Sequence, residues 1–131
     1  MLICYLAFNA LLYAAFSLWC IIAPQQTSTF LGLVPSGPAG ESEYLAVYGG
    51  LQAGLAVFYT AAAVMPEHRR SAVLLSLALY AGIVGLRTLA GLQLGFSELG
   101  NARYAYGLEI ALLLAAIILV MRKGSGIRGA D

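Results

Sequence analysis

Arg87 and Glu109 each stand alone in an otherwise apolar run, in a chain with only seven Lys and Arg and six Asp and Glu among 131 residues. A guanidinium is a rigid fork of donors that matches a carboxylate or another planar acceptor two bonds at a time. Arg87 could therefore pair with Glu109, or meet an anionic or carbonyl-bearing ligand such as a lipid headgroup, a quinone or a small acid. Other polar residues recur at helical spacing around them. Tyr44, Tyr48 and Gln52 follow one another every four residues, with Glu43 just ahead, and Tyr106 precedes Glu109 by three. Ser76 and Tyr80 lie before Arg87, and Tyr5, Asn9, Tyr13 and Ser17 form a further four-residue series. Side chains three or four apart share a helix face, so each of these sets is a polar stripe. The candidate ligand-binding residues are thus Arg87, Glu109, Tyr48, Gln52 and Glu43, with Glu43 placed to cap a helix start or to reach toward Arg87.

Other chemistries find little support. Cys4 and Cys20 fall in one helical run, 16 residues or about 24 Å apart, too far to bond to each other. They read as small buried hydrophobes, with a redox pairing to another chain as the alternative. His68 is the only histidine and has no cluster of ligands, so no metal or haem site is expected. No nucleophile triad, phosphate loop or paired-carboxylate site is visible, which disfavours an enzyme and leaves no cofactor to expect. A net charge of +1 gives no nucleic-acid footprint.

The elements that must position these residues follow from composition. Hydrophobic residues make up 61% of the chain and charged residues 10%, with a mean hydropathy of +0.85, against roughly 25% charged residues in a soluble domain. The apolar residues fall in four blocks, about 2–23, 43–65, 71–94 and 101–121, each long enough to cross roughly 30 Å of hydrocarbon. The first lacks the basic leader and cleavage site of a secretory signal and reads as a retained span. A Gly, Pro, Ser, Thr and Gln-rich connection over 24–42 reads as loop, with at most one short interfacial helical turn. Residues 122–131 read as a polar cytoplasmic tail. The expected fold is all-α: an integral membrane four-helix bundle, up-down-up-down, over 1–121, because short connections make consecutive helices antiparallel neighbours. Arg69, Arg70, Arg122, Lys123 and Arg128 fall on one side and Arg103 on the other, which places both termini in the cytoplasm. Trp19 and Tyr104 suit interfacial anchors.

Depth ties these elements to the polar residues. Arg87 is about seven residues below the outer end of the third block and Glu109 about eight below the start of the fourth, so their depths nearly coincide. An Arg near a span centre costs roughly 2.5–3.5 kcal/mol and should face the interior with a partner. Gly49, Gly50, Ala53 and Gly54, with Ala78, Gly82, Gly85, Gly91 and Gly95, offer small-residue faces for packing within the bundle or, alternatively, for a homodimer seam.

The stretch Glu43, Tyr44, Leu45, Ala46, Val47, Tyr48, Gly49, Gly50, Leu51, Gln52, Ala53, Gly54 resembles the signature of a family of small bacterial four-span proteins labelled domain of unknown function 4345, and more loosely the DoxX-like group. The placement of Arg87 and Glu109 is similar too, while Leu45 stands where members often carry an arginine. The resemblance implies a four-helix membrane fold over about residues 3–121 and no activity. Two functions fit best. One is an accessory or assembly subunit of a larger complex in a bacterial inner membrane, partnered by lipid, other membrane proteins or itself, with its interior fixed by an Arg87–Glu109 network. The other is a membrane protein binding a lipid, quinone or small acid in an outward-facing Arg87 pocket. A proton relay or self-standing transporter is less suited to four helices.

Overall fold

A proline that cannot continue a helix sets the first boundary. The structure, a computed structural model, describes residues 1–124. Helix α1 (Leu2–Ile22) carries no charge and stops where Ala23 turns to φ −131°, ψ 61° ahead of Pro24, as expected for a residue kept out of the α region by a following proline ring. Pro24 then opens α2 (Pro24–Phe30), where its missing N–H costs nothing. Leu33 N–H bonds back to Ser28 O and Gly32 N–H to Thr29 O, with Gly32 at φ +72°. This paired closure needs a left-handed residue, which is why glycine ends α2.

The connection expected as loop is therefore largely helical. After Pro35 the chain forms α3 (Gly37–Tyr44), so the second apolar rod begins at residue 37 and not near 43. Glycine, serine and proline argued for loop, but Pro38 sits in the first helical turn, where proline favours a helix. The rod continues through a π-helical segment, Leu45–Leu51, into α4 (Gln52–Val64). Pro66 stops it, and a short 3₁₀ turn over Pro66–His68 leads to α5 (Arg69–Leu94). A second 3₁₀ turn, Phe96–Leu99, precedes α6 (Ala102–Gly124). α6 runs to Gly124, so residues 122–124, read from sequence as part of a polar tail, are helical. From residue 125 on, Arg128 included, that reading lies outside the described residues.

The described chain is all-helical, with no strand. Four helices are long and apolar enough to cross a membrane: Leu2–Ile22, Gly37–Val64, Pro66–Leu94 and Ala102–Arg122. The helices belong to two units, one built on Ile3–His68 and the other from Arg69 on.

In the first unit α1 is joined to the second rod by polar and aromatic contacts. Tyr13 stacks on Tyr59 at 5.6 Å between ring centres. Ser17 Oγ donates to Gly49 O at 2.8 Å. Widening to π geometry shifts each amide to an i→i+5 partner, and a hydroxyl beside the π segment anchors one of its carbonyls. Gly49 allows the approach, since a Cβ there would lie 3.1 Å from Ile21 Cγ1. The stripe of Tyr5, Asn9, Tyr13 and Ser17 is buried along its whole length, as is Cys20, whereas Cys4 is exposed. Cys4 thus departs from the expectation of two buried cysteines.

Ser17→Ala removes the bond that ties α1 to the Gly49 carbonyl and leaves that oxygen with the Gln52 N–H alone, so it should destabilise the fold by about 1 kcal/mol in reversible unfolding in mixed micelles. Ser36→Ala is the comparison and should change nothing measurable, because the Ser36 side chain caps no backbone group.

Candidate functional site

Gly95, at φ +98°, reverses the chain between α5 and α6, a backbone conformation that residues with a side chain rarely adopt. The two helices pack against each other in the second unit. Arg87 lies seven residues before Leu94, the last residue of α5, and Glu109 seven residues after Ala102, the first of α6. An antiparallel hairpin of that register brings the two to one level, about 10 Å below the turn.

The side chains meet there in an ion pair with one hydrogen bond across it. Arg87 Nε lies 2.7 Å from Glu109 Oε2, and Nη2 donates to Oε1 at 3.2 Å. The arginine side chain is 30% exposed and the glutamate 14%, so the pair is half-withdrawn and gains more than a fully solvated ion pair does. One step toward the turn, Thr88 Oγ1 donates to Val84 O at 2.7 Å and lies 2.9 Å from Tyr106 Oη. The threonine has one proton and spends it on Val84, so Tyr106 is the donor to Thr88. Tyr106 stacks in turn on Phe96, with ring centres 6.2 Å apart. Phe96 also fills the space beside Gly91, where a Cβ would come within 2.4 Å of its ring. The hairpin is therefore fastened by three contacts in succession: ion pair, hydroxyl pair and ring against glycine.

Of the residues singled out from sequence, Arg87 and Glu109 are brought together. Tyr48 and Gln52 are half-buried and Glu43 is exposed, and all three belong to the first unit. Tyr48 stacks on Tyr44 at 5.0 Å, so the two share a face as their four-residue spacing implies. The small-residue faces divide. Gly49 and Gly91 do permit close approach, to Ile21 and Phe96 respectively. A Cβ on Gly54, Gly82 or Gly85 meets no atom of its own unit within 4 Å, so within a unit these three do not serve the packing expected of them. Beyond the short-range spacings, sequence reasoning missed a buried polar knot in which Tyr44 Oη donates to Thr27 Oγ1 at 2.6 Å and lies 3.6 Å from Cys20 Sγ. The three are separated by 17 and 24 residues, and no periodicity links them.

Among the described residues no group of three His, Cys, Asp or Glu side chains is arranged as metal ligands would be. What the Arg87 site can do is hold two helices in one register with a neutralised charge pair. No family model matches the sequence, and neither a curated protein nor a solved structure is significantly similar to it.

Removing one partner strands a charge, whereas removing both removes the problem. Arg87→Met and Glu109→Leu should each cost about 2 kcal/mol, below the figure for a fully buried pair because both side chains retain some exposure. The double variant should be markedly more stable than the sum of the two losses implies, a coupling read from a double-mutant cycle of unfolding free energies. Gly91→Ala should cost about 1–3 kcal/mol and change the environment of the Phe96 ring in NMR spectra.

Proposed function

We propose that this is a multi-pass protein of a bacterial inner membrane, a four-helix bundle running up-down-up-down with both termini in the cytoplasm, and that it serves as an accessory or assembly subunit of a larger membrane complex. The family resemblance around residues 43–54 belongs to this proposal. One observation carries the functional part. On α6 Glu109, Leu112 and Ala116 point inward and are half-buried or buried, while Gly107, Ala111, Leu114, Ile118 and Met121 form an exposed face at alternating spacings of four and three. That spacing is the seam of one helix packing along another. Its two smallest members, Gly107 and Ala111, are four residues apart, which lets helix backbones approach closely in lipid. In the candidate span containing α6 only 11% of the apolar window is buried. In this reading Arg87 and Glu109 fasten the hairpin that presents the seam, and Arg87 is already occupied by Glu109, which weakens its use as a ligand anchor.

A photo-crosslinker placed at Leu114 in the native membrane should yield one discrete adduct with a protein helix, identifiable by mass spectrometry, and the same group at Leu112 should yield none. Ala111→Trp should abolish that adduct at unchanged helix content. Adducts with lipid alone, insensitive to Ala111→Trp, would contradict the subunit reading.

A further inference from the structure

A cavity of about 130 Å³ opens in the first unit between α2 and α3, walled by Pro24, Gln25, Ser28, Pro35, Glu41 and Tyr44. Its hydroxyl protons are committed elsewhere, and the Gln25 amide is the only side chain of the lining with N–H groups to offer. Pro24 and Pro35 have no N–H. Ser28 spends its hydroxyl proton on Gln25 O at 3.1 Å, and Tyr44 spends its own on Thr27 Oγ1 at 2.6 Å. The Glu41 carboxylate and the Gln25 amide make no hydrogen bond or ion pair with the described residues. Gln25 and Glu41 are exposed, and the Glu41 carboxylate is the single charge of the lining, with no protein cation against it among the described residues.

A divalent cation is a poor match, because one carboxylate supplies too little charge and too few oxygens for calcium or magnesium. An alcohol would leave the carboxylate unneutralised. A primary ammonium brings three N–H donors and one positive charge in a compact group. The volume is well below the roughly 300 Å³ at which drug-sized pockets begin, so an aminoethyl group fits and an acyl chain does not. Depth points the same way. Gly37–Val64 has 28 residues, or about 42 Å of helix against a hydrocarbon core of roughly 30 Å, and its polar end is α3, which puts Glu41 at headgroup level.

We propose that the cavity formed by Glu41, Gln25, Ser28, Tyr44 and the two prolines binds a small primary ammonium, presented either by an aminophospholipid headgroup or by a free amine. The headgroup source rests on the membrane-spanning reading, whereas binding of a free amine does not, and neither depends on the subunit function.

The test uses the full chain in detergent micelles supplied with equal amounts of phosphatidylethanolamine, phosphatidylcholine and phosphatidylglycerol, with retained lipid read by native mass spectrometry. Phosphatidylcholine keeps the charge but has no N–H, so the wild-type protein should favour phosphatidylethanolamine over it by about tenfold, the scale of one charge-assisted hydrogen bond. Glu41→Gln should erase that preference and Glu98→Gln should leave it intact, with helix content checked by circular dichroism. In lipid-free micelles, ethanolamine should shift the amide resonances of residues 24–45 saturably and only with Glu41 present. Retention of the lipid identifies the headgroup as the source, and ethanolamine binding without lipid preference identifies the free amine. Either result supports the site. Equal retention of phosphatidylcholine together with no Glu41-dependent response to ethanolamine would overturn it, and the wild-type comparison decides the matter even if Glu41→Gln does not fold.

Discussion

An unpaired charge in a low-dielectric setting is the most costly thing this chain could contain, and the contact between Arg87 and Glu109 removes that cost. Association in lipid gains nothing from hiding apolar surface, so helices are ordered by the few polar groups that must find one another. An ion pair at 2.7 Å with a hydrogen bond at 3.2 Å fixes both the separation of α5 and α6 and their register. A one-residue slip would rotate one partner by about 100° away from the other. The hydroxyl contact of Thr88 with Tyr106 and the seat of Phe96 against Gly91 follow from that register, and the reversal at Gly95 makes it reachable.

The same rule orders the first unit through its hydroxyls. Hydroxyls there turn back on the chain: Thr27 toward Ala23 and Pro24, Ser28 and Thr29 toward Gln25, and Ser17 across to Gly49. Each gives its proton to a carbonyl, and all but the exposed Thr29 do so where water is partly or wholly withdrawn. The result is a scaffold whose hydroxyl protons are committed locally, which leaves Ser28 and Tyr44 in the wall beside Glu41 with no hydroxyl proton to offer. A single economy of protons thus governs both the packing of α2 on its surroundings and the binding chemistry inferred for the cavity.

Much of this was legible in the sequence because the relevant signals are strong and local. Long apolar runs mark α1, α4, α5 and α6, and comparing distances from the shared turn is enough to match Arg87 with Glu109. The four-residue spacing of Tyr44 and Tyr48 placed them on one face. Residues 24–44 were harder. Proline and glycine signal a break wherever they occur, and only their position relative to a helix start distinguishes a breaker from an initiator, so α2 and α3 were hidden in an apparent loop. The π segment over Leu45–Leu51 left no trace in side-chain periodicity. The knot of Cys20, Thr27 and Tyr44 joins three elements by tertiary contact, and glycine spacing could not tell Gly91, which seats a ring, from Gly82, which meets nothing in its unit.

The central claim is that the guanidinium of Arg87 is held by the carboxylate of Glu109 in the protein's working environment. Solid-state NMR in lipid bilayers, with ¹⁵N on the arginine side chain and ¹³C on the glutamate carboxyl, measures that contact directly. Strong dipolar dephasing between the two, consistent with the nitrogen-to-oxygen approach of 2.7 Å, is the predicted result. Absence of dephasing, with the arginine signal instead correlated to water or lipid phosphate, would contradict the account.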